Sequence, residues 1–149
     1  MQTRGGLLID PGSLETHGPG EAVEIVVPYT EWAVTESVLK RATAMAPGLN
    51  ITISLIAVHV VPYAASFGCP AAVHAHLVEQ LVDLASNCPL PVKPQVVLAR
   101  GREEGFEFVM KPESTVLIGT RRHFWRTAEE KLARGLARAG HKVALVYVN

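Results

Sequence analysis

The chain has 149 residues, which is enough for one domain with its own hydrophobic core. Hydrophobic residues make up 48% of it and charged residues 19%, a composition typical of a globular protein rather than of a disordered one. Lys and Arg (14) balance Asp and Glu (14), and this zero net charge argues against a nucleic-acid-binding or membrane-surface role, because both require a net basic face.

Residues 1–21 are rich in Gly and Pro, which favour turns over regular structure. We therefore predict a flexible N-terminal arm over residues 1–21 and a folded domain over residues 22–149. Residues 7–9 are the only apolar run in the arm, and we do not predict a strand there.

From Glu24 onward, short apolar runs alternate with stretches in which apolar residues recur at helical spacing. The predicted strands are residues 25–27, 53–61, 96–98, 115–118 and 143–148. The predicted helices lie between them, at about residues 34–45, 73–84, 103–110 and 128–139. We expect Gly105 to weaken the third helix, and Thr127 with Glu130 to form a capping box at the start of the fourth.

Strands that are apolar on both faces and alternate with helices are typical of a parallel sheet covered on both sides. The sequence therefore predicts the α/β class. The expected architecture has three layers, with a five-stranded parallel sheet and helices on both of its faces.

The two cysteines, Cys69 and Cys88, are too few for a disulfide framework and indicate reduced thiols inside a cell. The N-terminus lacks a signal-peptide core, and the longest apolar stretch, residues 53–61, has about half the length of a membrane span. We therefore expect a cytoplasmic protein without a membrane or nucleic-acid partner.

Several segments resemble the universal stress protein family in their order and spacing, over roughly residues 23–149. They are similar to the first strand, the end of the second strand, the turn after the third and the end of the fourth. These segments are Val26-Val27-Pro28, Val58-His59-Val60-Val61-Pro62, Arg100-Gly101 and Ile118-Gly119-Thr120.

The resemblance implies a five-stranded sheet and a homodimer in which the last strands pair across a two-fold axis. An unpaired apolar edge strand invites aggregation, so self-pairing at Val143, Leu145 and Tyr147 agrees with this expectation. The alternative is an edge covered by the N-terminal arm or blunted by strand twist.

Family members that bind ATP use a glycine-rich pattern after the fourth strand, followed by Gly and Ser or Thr. Here only the first glycine is present, as Gly119; the second falls on Arg122, and the final pair falls on Glu129-Glu130. Carboxylates repel phosphate oxygens, so the resemblance argues against ATP binding in the family's manner. The family's Asp at the end of the first strand falls on Thr30, whereas Val60 is retained where the backbone usually meets the adenine.

A basic cluster follows Gly119 and Thr120 at the expected carboxyl edge of the sheet, where ligands of open α/β sheets bind. It consists of Arg121, Arg122, His123 and Arg126. The cluster is either a modified nucleotide or anion site or a set of solvated loop charges. Phe124 and Trp125 within it indicate an anchor on the sheet or a partner contact.

The sequence gives little support for a metal site or a catalytic site. Cys69, His74 and His76 include metal-ligand types, but two histidines two residues apart on a helix point in different directions, so we expect no metal. No Walker loop, nucleophile elbow or Rossmann glycine loop is present in its required context. We therefore expect no enzymatic activity.

The resulting hypothesis is a non-catalytic, dimeric, universal-stress-like module. It would act in stress response or regulation through an unidentified protein partner and without a cofactor. The alternative is a sensor domain that binds ATP, AMP or another anion through the modified loop.

Overall fold

The computed structural model describes residues 22–61, 71–122 and 127–148. The predicted alternation of five strands and four helices is confirmed, while the predicted arm lies outside these residues. Among the described helices, none is long and apolar enough to cross a membrane. The elements in chain order are β1 (Ala22–Pro28), α1 (Trp32–Met45), β2 (Asn50–Val60), α2 (Ala71–Ser86), β3 (Val92–Ala99), α3 (Arg102–Val109), β4 (Thr115–Arg121), α4 (Ala128–Arg138) and β5 (Lys142–Val148).

All five strands run parallel, in the order β3-β2-β1-β4-β5, which confirms the predicted fold class. The chain first moves outward from β1 to β3 and then returns to place β4 on the other side of β1. The direction of the crossovers reverses at that point. Right-handed crossovers therefore put α1 and α2 on one face of the sheet and α3 and α4 on the other.

The sheet separates two hydrophobic cores, because neighbouring strand residues point to opposite faces. On β1, Ile25 and Val27 belong to the core under α1 and α2, whereas Val26 belongs to the core under α3 and α4. Leu132 and Leu136 of α4 lie in this second core.

Strand β3 begins four residues earlier than predicted and includes Pro94. Proline cannot donate a backbone hydrogen bond, so it is tolerated in strands that lie at an edge. Because β3 has β2 as its one neighbour among the described strands, Pro94 fits there.

Gly105, which we expected to weaken α3, instead allows this helix to approach the sheet. A Cβ at this position would lie 2.6 Å from Cγ1 of Val58 and 3.0 Å from Cβ of Ala99. The first distance is shorter than real Cβ contacts and the second is tighter than most of them, so a larger residue would require α3 or its neighbours on β2 and β3 to shift.

Both ends of α4 are stabilised by local hydrogen bonds. The predicted capping box is confirmed at its start: the Thr127 hydroxyl accepts from the Glu130 amide, and the Glu130 carboxylate accepts from the Thr127 amide. At its end, Gly140 adopts a positive φ of 102°, and the amide of His141 donates to the Leu136 carbonyl. This is a Schellman arrangement, which favours glycine at that position.

Candidate functional site

A crevice opens at the carboxyl ends of β1 and β4, the two strands between which the crossover direction reverses. The residue pairs joining them are Ile25 with Thr115 and Val26 with Val116, and the pairing of these two described strands ends there. Open α/β sheets bind ligands at such a switch point. The crevice contains a cavity of about 150 Å³, lined by Thr30, Glu31, Val34, Gly119, Thr120, Arg121, Thr127 and Glu129.

Gly119 lies under α1, and its small size is required by packing. A Cβ there would come within 2.5 Å of Cγ2 of Val38 and 2.6 Å of Cγ1 of Val34. Packing against α1 is therefore sufficient to explain why this position holds a glycine, and a phosphate-binding role is not needed to explain it.

The start of α4 faces the crevice, and the amides of Thr127 and Glu130 are already paired in the capping box. Besides the capping box, the Thr127 hydroxyl lies 2.8 Å from the hydroxyl of Thr120, whose side chain is buried. The two hydroxyls and the Glu130 carboxylate form one network. A ligand anion at this helix terminus would therefore approach a carboxylate that belongs to the chain itself.

Glu129 adds a second carboxylate in the first turn of α4. One of its oxygens lies 3.3 Å from Nη1 of Arg102 at the start of α3, and both side chains are about three-quarters buried. The pair therefore ties α3 to α4 and leaves Glu129 on the wall of the cavity.

Arg121, at the end of β4, forms a hydrogen-bonded ion pair with Glu31 at the end of the β1–α1 loop. The hydrogen bond from Arg121 holds the pKa of the Glu31 carboxyl below its usual value, and the same bond raises the pKa of Arg121. Glu31 is the N-cap residue of α1, yet its carboxylate does not bond the amides of that helix. The pair bridges the mouth of the crevice.

Among the described residues, Oγ1 of Thr30 is the one buried side-chain polar atom without a hydrogen-bond partner. Its amide donates to Oγ1 of Thr35 in α1, but its own Oγ1 has no donor or acceptor in reach. Because Thr30 also lines the cavity, this hydroxyl is available to a small polar ligand or a water.

Arg122 extends away from the crevice and over an aromatic ring. Its guanidinium carbon lies 5.1 Å from the centre of the Tyr147 ring, a cation–π distance. The Tyr147 hydroxyl donates to Glu130 at 3.2 Å. Partial burial and this hydrogen bond raise the pKa of Tyr147, and the positive charge of Arg122 lowers it in part.

The structure brings together four of the predicted site residues, whereas Val60 and Arg122 do not line the cavity. Thr30, Gly119, Thr120 and Arg121 line the cavity. Val60, 45% exposed at the end of β2, does not line it, and Arg122 contacts Tyr147 instead. Arg126, like His123, Phe124 and Trp125, lies outside the described residues.

Sequence reasoning missed Glu31 and Val34, which also line the cavity. Glu31 pairs with a residue 90 positions away, so no local motif reveals the contact. Helical periodicity places Val34 in the core, but it carries no information about which strand residue lies opposite.

The three residues predicted at a dimer interface lie on one side of β5, the side facing α4. Val143 is completely buried within the single chain, Leu145 is half-buried, and Tyr147 is 41% exposed. Among the described strands β5 has β4 as its only neighbour. Any pairing through this edge would therefore depend mainly on its backbone.

Of the metal-ligand types considered above, His74 and His76 are exposed on α2, and Cys69 lies outside the described residues. Within the described ranges, no three His, Cys, Asp or Glu side chains are grouped as metal ligands.

No protein-family model matches this chain, and no curated protein matches it with a significant score. The likeness to universal stress proteins therefore stays a prediction from the segments quoted above.

Proposed function

We propose that this chain is a non-catalytic, universal-stress-like regulatory module that does not bind ATP in the manner of that family. The observation that carries the proposal is the occupied start of α4, where Glu130 closes the capping box on Thr127. In the family pattern this position would offer small residues and free amides to a phosphate.

The charges around the crevice support the same conclusion. Glu129 places a carboxylate on the cavity wall, and the guanidinium of Arg121 is engaged by Glu31. The first turn of α4 carries two acids, Glu129 and Glu130, which would repel a triphosphate. The size of the cavity agrees, since about 150 Å³ is roughly half of the smallest ligand pockets, which measure about 300 Å³.

Isothermal titration of the full chain with ATP, AMP and inorganic phosphate tests the proposal. We expect no ATP binding at micromolar concentrations. Glu129→Gln removes one wall carboxylate and leaves the capping box intact. It should strengthen any residual ATP affinity about fivefold, which corresponds to about 1 kcal/mol for one charge in a wet site.

Glu104→Gln is the matched control, because Glu104 is an exposed acid in the first turn of the other short helix, α3. It should leave ATP affinity unchanged. Micromolar ATP binding by the unaltered chain that Arg122→Ala abolishes would contradict the proposal.

A homodimer through β5 is part of this proposed module. Its support is the resemblance together with the position of β5 at the end of the sheet. Light scattering across micromolar concentrations tests it, and a monomer at every concentration would remove the dimer from the proposal.

A sensor of AMP, phosphate or another small anion is the second candidate. It is favoured by one observation, the partnerless hydroxyl of Thr30 beside Arg121 in the cavity. Phosphate binding that is lost in Thr30→Val and kept in Thr115→Val, at the opposite end of β4, would support this second function. If the chain bound neither phosphate nor AMP, this second function would be rejected.

A further inference from the structure

The sheet face under α3 and α4 is covered incompletely. Helix α3 has 8 residues and is about 12 Å long, whereas β2 beneath it has 11 residues and extends about 36 Å. Because α3 begins just after the carboxyl end of β3 and ends after two turns, it leaves the amino-terminal part of β2 and β3 open on this face.

The open part of this face carries polar side chains. The strand register places Val26, Ser54 and Lys93 in one row across β1, β2 and β3, and Ile56 and Gln95 in the next row. Val26 and Ile56 are buried in the core, whereas Lys93 and Gln95 are exposed and Ser54 is partly exposed. Strands that are covered on both faces are continuous apolar runs, so the change to polar residues indicates a surface that meets water or a polar ligand.

These polar residues and the end of α3 surround a cavity of about 380 Å³, which we call the polar groove. Val109 and Met110, at the end of α3, give it an apolar lining on the helix side. Its volume is more than twice that of the crevice and falls in the range of about 300–1,000 Å³ found for ligand-binding pockets. The polar groove is therefore large enough for a small organic molecule.

Three hydrogen-bond donors lie next to one another in the polar groove. Ser54 and Lys93 are paired across β2 and β3, about 5 Å apart, and Gln95 follows two residues later on the same side of β3, about 7 Å from Lys93. Within the described ranges, the side chains of these three residues have neither a hydrogen-bond nor an ion-pair partner. A carboxylate has two oxygens that each accept more than one hydrogen bond, so a single carboxylate can accept from all three donors.

The charges of the polar groove also favour an anion. Its lining includes two lysines, Lys93 and Lys111, against one acid, Glu24. Nζ of Lys111 lies 3.7 Å from a carboxylate oxygen of Glu24, so these two charges offset each other and the charge of Lys93 remains.

The apolar lining distinguishes an organic anion from an inorganic one. Val109 and Met110 are partly exposed and offer hydrocarbon and sulfur surface beside the donors. Methionine adapts its shape to a ligand, because its side chain is unbranched and flexible. A short aliphatic chain attached to the carboxylate would cover this surface, whereas phosphate or sulfate would leave it in water.

We propose that the polar groove binds a small organic carboxylate. The carboxylate accepts from Lys93, Ser54 and Gln95, and the aliphatic chain packs against Val109 and Met110. The site lies on the α3–α4 face at the amino-terminal part of the strands, whereas the crevice lies at the carboxyl ends of β1 and β4. It therefore gives the module an input from a small metabolite that does not depend on the crevice.

Amide NMR of the full chain, titrated with sodium butyrate at constant ionic strength, tests the site directly. We expect saturable shifts at Ser54, Lys93, Gln95 and Met110, with a dissociation constant on the order of 1 mM for so small a ligand. Acetate should bind about tenfold more weakly, because butyrate buries two more CH₂ groups of about 0.8 kcal/mol each.

Variants of the lining separate a site from nonspecific attraction. Lys93→Gln should weaken butyrate binding about tenfold, and Ser54→Ala about threefold, because each removes one donor to the carboxylate. Lys131→Gln, the same loss of charge at an exposed position of α4, is the control and should leave binding unchanged. Equal binding by the Lys93→Gln and Lys131→Gln variants would overturn the proposal.

The choice of probe tests the chemical class of the ligand. Inorganic phosphate and butylamine should shift the amides of the polar groove much less than butyrate does. The proposal would be overturned if either of them bound there as tightly as butyrate, or if butyrate produced no saturable shift. Butyrate shifts confined to Thr30 and Gly119 would also overturn it, because they would place the anion in the crevice instead.

Discussion

Gly119 in β4 lies directly under Val38 of α1: a Cβ on the glycine would stand 2.5 Å from Cγ2 of the valine. This contact fixes the distance between the helix and the strand that together border the crevice. The glycine that most resembles a phosphate-binding residue in the sequence is therefore a packing residue in the fold.

We expect Gly119→Ala to destabilise the protein by about 1–3 kcal/mol, because the added methyl group overpacks a core that has no room for it. Val38→Ala in the same chain should recover part of this loss. Urea unfolding measures both. Gly101→Ala is the control, since the nearest atom to a Cβ there is 3.8 Å away, and a loss at Gly101 equal to that at Gly119 would contradict the packing argument.

Thr127 combines two roles, as the cap of α4 and as the partner of the buried Thr120 hydroxyl. Thr127→Ala should cost about 1 kcal/mol for the cap and about 1–3 kcal/mol more for the hydroxyl left unpaired. Thr127→Ser keeps the oxygen and should cost much less. Thermal unfolding of the two variants distinguishes them, and equal losses would show that the hydroxyl network adds nothing.

His141 is 4% exposed and joins three segments of the α3–α4 face. Its Nδ1 accepts from the amide of Ser114, so its Nε2 carries the proton and donates to Glu107. His141→Leu leaves the Ser114 amide without its acceptor and should destabilise the fold by about 1–3 kcal/mol. His141→Asn places an acceptor oxygen near the Nδ1 position, so denaturant unfolding should show a smaller loss for Asn than for Leu.

The Glu31–Arg121 pair predicts a pH effect of known sign. Because the pKa of Glu31 is lowered in the folded protein, its contribution to stability is present above the ordinary pKa of a glutamate. The contribution is lost as the pH falls through the lowered pKa, and it is small because both groups are exposed. A carboxyl ¹³C titration should show the low value in the native protein.

In that titration Arg121→Gln should raise the pKa of Glu31 toward its ordinary range, whereas Arg122→Gln, which removes a charge over Tyr147, should leave it unchanged. A Glu31 pKa at its ordinary value in the unaltered protein would mean that the two side chains are not paired in solution.

Some elements of the fold can be predicted from the sequence because they depend on neighbouring residues. Apolar runs such as residues 25–27 identify strands because every side chain in them is buried, and burial on both faces requires helices on both sides. Thr127 and Glu130 predict the start of α4 because a capping box involves only residues that are close in sequence. These features are local, so the order of the amino acids was enough to predict them.

The crevice is different, because it depends on which strands become neighbours. The pairing of β1 with β4 brings Glu31 to Arg121 and Gly119 under α1, contacts between residues about 80 to 90 positions apart. Local periodicity carries no information about such distances. The α/β layers and the capping box of α4 follow from local sequence patterns, because they depend on neighbouring residues. The ion pair across the mouth of the crevice and the packing role of Gly119 depend on long-range contacts and became visible in the fold alone.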